Sequence, residues 1–196
     1  MKKIKYTKGE FEYPIYQTKV VIIRTIIYFL LSLSIFIMGY YSTKTTANLL
    51  TIVAVFGFLP SSKSLVSVIM YLRIPKFSKE IYNSICKKNI DICMLYSLYL
   101  TSYKENFPIN CFVVRGNNII GYTEFSNTKT SGKLLCKVPE CEEHIKAILK
   151  QNGIKNMIVK IFTDLNKFEN RIDQLQQNET TDKENEVINL LCDISL

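Results

Sequence analysis

The residues best able to do chemistry cluster in Cys136-Lys-Val-Pro-Glu140-Cys141-Glu-Glu-His144, which holds the single histidine of the chain. A Cys-x4-Cys-x2-His spacing could supply three zinc ligands, with Cys111 or Cys192 as a fourth. The same residues could form a Cys/His nucleophile pair, with Glu124 as a further carboxylate near the site. Both readings meet one objection. Cys136 falls in an expected strand over residues 133–138, and Cys141 falls on the apolar side of an expected helix. Neither sits in a Cys-x2-Cys knuckle, and no Asn or Asp is placed to orient His144. The preferred reading makes Cys136 and Cys141 core residues and leaves His144 at the surface; metal ligation by the three is the alternative.

The other motifs carry less. No phosphate-binding loop, dinucleotide fingerprint or His-Glu-x-x-His pair occurs, so no cofactor is expected. Gly116-Asn-Asn-Ile-Ile-Gly121 spaces its glycines across a hairpin, which is turn chemistry. Tyr96, Tyr99 and Tyr103 read as strand packing and not as a base-stacking platform. The remaining cysteines, Cys86, Cys93, Cys111 and Cys192, also follow the apolar runs described next. On a reducing cytoplasmic side the cysteines are expected to be thiols, mostly buried as small apolar groups, and not disulfides.

These residues hang from a strongly apolar N-terminal part. Residues 25–41 and 47–62 form two runs close to the ~20 residues needed to cross a hydrocarbon core, joined by a polar turn carrying Lys44. A basic start before an apolar run suggests a signal peptide, but no small-residue cleavage site follows, so a retained anchor is expected. Counted from Lys44, Arg24 lies 20 residues back and Lys63 lies 19 on. At about 1.5 Å per residue both come roughly 30 Å from the turn, which gives them one depth, at the inner headgroups. Pro60 predicts a kink. Residues 64–72 either prolong the second helix or lie along the inner surface, and Arg73 and Lys76 end the run as further headgroup contacts. Gly39 and Gly57 make no small-xxx-small pair, so no strong helix-packing signature for oligomers is expected.

Charge supports this placement. Of the net +8, residues 164–196 contribute −5, leaving +13 for residues 1–163. Basic residues flanking apolar spans mark the cytoplasmic, anionic face of a membrane. The same membrane accounts for the charge without nucleic acid as a partner.

The chain thus divides into a basic cytoplasmic segment (1–24), a transmembrane helical hairpin (25–72), a cytoplasmic α/β domain (77–176), and an acidic disordered linker with a short amphipathic end (177–196). The domain reads as a mixed α/β unit in the order α-β-β-β-(β)-α-β-α. A helix from Phe77 is followed by strands at 92–103, 109–116 and 119–125, the last two joined by a tight turn on Asn117-Asn118. Pro139 opens a helix that Asn152-Gly153 ends. A strand at 156–162 and a helix capped by Thr163 or Asp164 complete the mixed sheet and its cover.

In element order, residues 77–162 resemble restriction-endonuclease-like nucleases. Those enzymes hold a divalent metal with an Asp on one strand and Glu-x-Lys on the next. The hairpin here offers Arg115 and Asn118, then Glu124-Phe125-Ser126, with no Lys two residues after the Glu. The resemblance therefore implies a fold and no activity.

The sequence is best read as a non-enzymatic multi-pass membrane protein with both termini cytoplasmic. Its α/β domain is expected to bind a ligand, a cytoplasmic protein or further copies of itself. The alternatives are a membrane-tethered enzyme using Glu124, Cys136, Cys141 and His144, and a small oligomeric channel.

Overall fold

The computed structural model describes residues 6–87, 92–103, 105–126, 136–176 and 183–196. The chain forms two compact units: residues 14–74 make one, and residues up to Tyr13 together with 75–196 make the other.

The first unit is a helical pair. α1 (Tyr13–Thr43) and α2 (Leu49–Leu72) are 31 and 24 residues long, or about 46 and 36 Å at the α-helical rise. Both are long and apolar enough to span a membrane, and only 11% and 17% of their apolar windows are buried. α1 starts earlier than the basic segment 1–24 would allow, with Pro14 in its first turn, where a missing N–H costs nothing. Residues 64–72 prolong α2 through Pro60. Asn48 forms the corner. Its side chain accepts the Thr51 N–H at 2.8 Å and donates to the carbonyls of Gly39 and Thr45.

A seam of small residues joins the two helices. Ser32 and Gly39 are buried on α1, and Ala54, Ser61 and Ser64 on α2. A Cβ at Gly57 would stand 2.7 Å from Ser32 Oγ. Gly57-x3-Ser61 is thus a small-xxx-small pair used within the chain, whereas the sequence expectation concerned packing between copies. The signal lay within α2, not between Gly39 and Gly57.

The second unit is a mixed α/β fold. α3 (Lys79–Cys86) precedes β1 (Met94–Thr101), β2 (Asn106–Arg115) and β3 (Asn118–Tyr122); α4 (Val138–Gln151), β4 (Ile158–Phe162), α5 (Leu165–Leu175) and α6 (Lys183–Asp193) follow. The sheet order is β1-β2-β3-β4, antiparallel except for the parallel β3–β4 pair. α4 and α6 bury Cys141, Ile145, Leu149, Val187 and Leu191 on one sheet face. α3 and α5 bury Ile85, Phe168 and Ile172 on the other.

Three sequence expectations change. The turn between β2 and β3 falls on Gly116-Asn117, where Gly116 takes φ +56°, so Arg115 pairs with Asn118. The expected strand at 133–138 lies outside the described residues through 135, and Val138 already belongs to α4. Residues 183–186 are helical, and α6 docks on the sheet, its Glu184 carboxylate accepting the Gly116 N–H at 2.7 Å. Residues 177–182 of the expected linker lie outside the described residues.

Both ends of this unit cover the edge strand β1. The Gly9 carbonyl accepts the Tyr96 N–H, and Tyr99 O accepts the Leu196 N–H. Lys8 Nζ donates to the carbonyls of Cys192 and Ser195 at 3.0 and 2.8 Å, where the end of α6 favours a cation. An edge covered this way offers no free ladder to another chain.

Candidate functional site

The described structure departs from regular geometry midway along β1 and β2. Strand side chains alternate faces with a period of two, yet Leu95 and Leu98 share one face, as do Ile109 and Phe112. Both strands change phase at the same level. Ser97 takes φ +53°, and it stands opposite Asn110 between the pairs Tyr96–Cys111 and Leu98–Ile109. A non-glycine residue in this region costs about 1–2 kcal/mol. Ser97 Oγ is also buried without a hydrogen-bond partner.

Asn110 answers that irregularity with a clasp onto Glu124. Its Nδ2 donates to Glu124 Oε1 at 2.6 Å, and its Oδ1 accepts the Glu124 N–H at 3.0 Å. The same Oε1 accepts the Ser78 N–H at 3.1 Å, tying the start of α3 to the end of β3. Next to it, Thr123 is fully buried; its hydroxyl donates to Pro108 O and accepts the Phe125 N–H. Asn110 is therefore the residue facing Glu124. An amide facing one carboxylate, with no lysine in the clasp, is a structural lock and not a divalent-metal site. Sequence reasoning missed Asn110 because the clasp is a side-chain contact between strands that no motif marks.

Cys136 sits one step further, its N–H donating to Phe125 O at 2.9 Å. Cys136 and Cys141 are 3% and 0% exposed and belong to the core under α4. A hydrogen bond from the Cys141 thiol, with help from Thr123, holds the Cys136 thiol below its ordinary range against the effect of burial. That same bond, with burial second, pushes Cys141 up. Two thiols closed on each other in a core have no path to a solution substrate. Cys111 packs on the opposite sheet face, and Cys192 is half-buried beside Lys8.

His144 follows Cys141 by three residues on α4. It lines a cleft of about 520 Å³ with Glu105, Phe107, Lys137 and Glu140, a set that includes neither Cys136 nor Cys141. Its ring lies 5.9 Å from that of Phe107, and its buried Nε2 has no hydrogen-bond partner. Lys137 pairs with Glu105 and Glu140 across the mouth. Glu105 is held low by the bond from Lys137, and Lys137 is raised by the same bond. Among the described residues, no three His, Cys, Asp or Glu side chains gather as a metal site.

In the helical pair, Thr25 Oγ1 and Ser64 Oγ lie 2.6 Å apart. That contact brings their neighbours Arg24 and Lys63 to one level, as the count from Lys44 required. Both side chains are exposed, as are Arg73 and Lys76. The Arg73 N–H closes the end of α2 on Met70 O and Tyr71 O.

Comparison with protein families, curated proteins and solved structures finds no match to the chain.

Proposed function

We propose that this chain is an integral membrane protein in which α1 and α2 cross the bilayer as a hairpin and hold the α/β unit at the cytoplasmic face as a binding module. The observation that carries the reading is the packing of Gly9 and Lys8, before α1, into the same unit as everything after α2. Helices that leave one folded body and return to it must cross a membrane an even number of times. The largely exposed apolar surface of both helices fits lipid as their solvent. Arg24 and Lys63 at one level, with Arg73 and Lys76, supply cations for anionic headgroups, worth about 1 kcal/mol each near the surface.

The α/β unit binds rather than catalyses in this reading. Its buried thiols face each other, and Glu124 is spent on Asn110 and Ser78. The partner is a ligand, a cytoplasmic protein or a second copy. An alkaline carbonate wash of membranes tests the anchor: the chain stays in the pellet, and its release into the supernatant would end the proposal. Crosslinking in native membranes followed by mass spectrometry tests the module. His144→Ala leaves that crosslinking pattern unchanged, whereas its loss would favour a tethered enzyme at the His144 cleft.

A further inference from the structure

The segment that covers β1 also builds a cleft that the reading above does not use. Gly9 takes φ +93°, and a Cβ there would stand 2.5 Å from Leu95 Cδ2, so only glycine lets this stretch lie against the strand. Two short turns follow, Glu10 N–H to Thr7 O and Tyr13 N–H to Glu10 O. They hold Tyr6, Glu10, Phe11 and Glu12 over α3 and β1. The result is a cleft of about 450 Å³, within the size range of small-molecule sites.

Its lining is unusual in kind. Phe11 stacks on Tyr82 with centroids 4.4 Å apart, and Tyr82 meets Tyr96 edge-on at 4.9 Å, giving a continuous aromatic wall. Two carboxylates stand at the wall. Glu10 accepts the Thr7 hydroxyl and Glu12 accepts the Tyr6 hydroxyl, each at 2.6 Å through one oxygen. Among the described residues the lining also carries one cation, Lys79, the first residue of α3, where the helix dipole favours an anion.

We propose that this cleft binds a phosphate-linked alkylammonium group, the chemistry shared by phosphocholine and phosphoethanolamine. The ammonium sits against the aromatic wall and the carboxylates of Glu10 and Glu12, and the phosphate pairs with Lys79. Neither half-ligand fits alone. A simple cation meets Lys79, and a simple phosphate meets the two carboxylates, whereas a zwitterion answers both. The group can come from a lipid headgroup or from a free phosphorylated amine. The site does not depend on how α1 and α2 lie in a membrane.

The test uses the full chain in a maltoside micelle, titrated with phosphocholine and with phosphoethanolamine and read by saturation-transfer NMR and tyrosine fluorescence. At least one of the two binds, and tetramethylammonium and inorganic phosphate each bind about tenfold more weakly or worse. Glu10→Gln with Glu12→Gln, and separately Lys79→Ala, each weaken binding by about tenfold while near-ultraviolet circular dichroism is unchanged. Lyso-phospholipid of the same headgroup binding more tightly than the free compound assigns a lipid source, and the reverse order assigns a free one; either supports the site. Absence of binding by both zwitterions, or equal binding by wild type and both variants, overturns it. Because the ligands are soluble and the protein is in detergent, that failure is distinct from release of the chain by carbonate.

Discussion

Replacing Glu124 separates a structural clasp from a catalytic carboxylate. Its Oε1 takes two donors, Asn110 Nδ2 at 2.6 Å and Ser78 N–H at 3.1 Å, and Asn110 is only 5% exposed. Glu124→Ala leaves both donors without an acceptor. Each unmet buried donor costs about 1–2 kcal/mol, so the variant loses roughly 2–4 kcal/mol. In a unit of this size, 1 kcal/mol moves Tm by about 3–5 °C, which predicts a fall of roughly 6–20 °C. Glu124→Gln keeps a carbonyl oxygen in place for both donors and loses only the charge assistance, about 1 kcal/mol. Its Tm falls by about 3–5 °C. The assay is thermal unfolding of the detergent-solubilised chain by near-ultraviolet circular dichroism, which reports the tyrosine-rich sheet. An alanine variant melting within about 2 °C of wild type, or a glutamine variant as unstable as alanine, refutes the clasp.

Other expectations come from the same contacts. Ser97→Gly removes the left-handed strain and the orphaned hydroxyl at a smaller cost in chain entropy, so Tm rises by roughly 1 kcal/mol equivalent; a fall in Tm contradicts that account. Burial pushes both the Cys111 thiol and the Tyr96 hydroxyl above their ordinary values of 9.0 and 10.0. Above about pH 9 for Cys111 and about pH 10 for Tyr96 the unfolded chain releases a proton that the folded chain keeps. Each contribution is full below its own onset and is lost above it, by about 1.4 kcal/mol per pH unit. Tm measured from pH 7.5 to 10 falls, and Cys111→Ala makes the slope shallower. Gly57→Leu drives a side chain into Ser32 and costs about 1–3 kcal/mol in helix pairing. The readout is copper-catalysed disulfide formation between Thr25→Cys and Ser64→Cys, whose parent oxygens are 2.6 Å apart. It slows in the Gly57→Leu background, and an unchanged rate refutes the seam.

What the sequence disclosed and what it hid have physical causes. Local chemistry was readable. Pro139 in the first turn of α4, Gly153 at φ +76° after it, and the Asp164 side chain capping α5 all act within a few residues. The common level of Arg24 and Lys63 was readable too, because helical rise turns counting into distance. Pairings set by register were not. Placing the β2–β3 turn on Asn117-Asn118 instead of Gly116-Asn117 shifts every partner along the hairpin. The phase change at Ser97 was invisible because alternation is assumed to run unbroken along a strand. The amphipathic end of the chain was readable as a docking segment, but the polar residues 183–186 gave no sign of helix, which is held there by the tertiary contacts of Val187 and Leu191. Of the residues first considered for chemistry, Cys136 and Cys141 come together, while Glu124 and His144 each stand in separate surroundings.

The hairpin itself is tested most directly by membrane-impermeant maleimide labelling of intact cells. The native Cys93, exposed before β1, serves as one reporter, and Thr45→Cys, exposed between α1 and α2, as the other, in a background with Cys86 replaced by Ala. The account predicts that Thr45→Cys is labelled in intact cells and Cys93 only after permeabilisation. Labelling of Cys93 in intact cells, or protection of Thr45→Cys there while it reacts after permeabilisation, contradicts it.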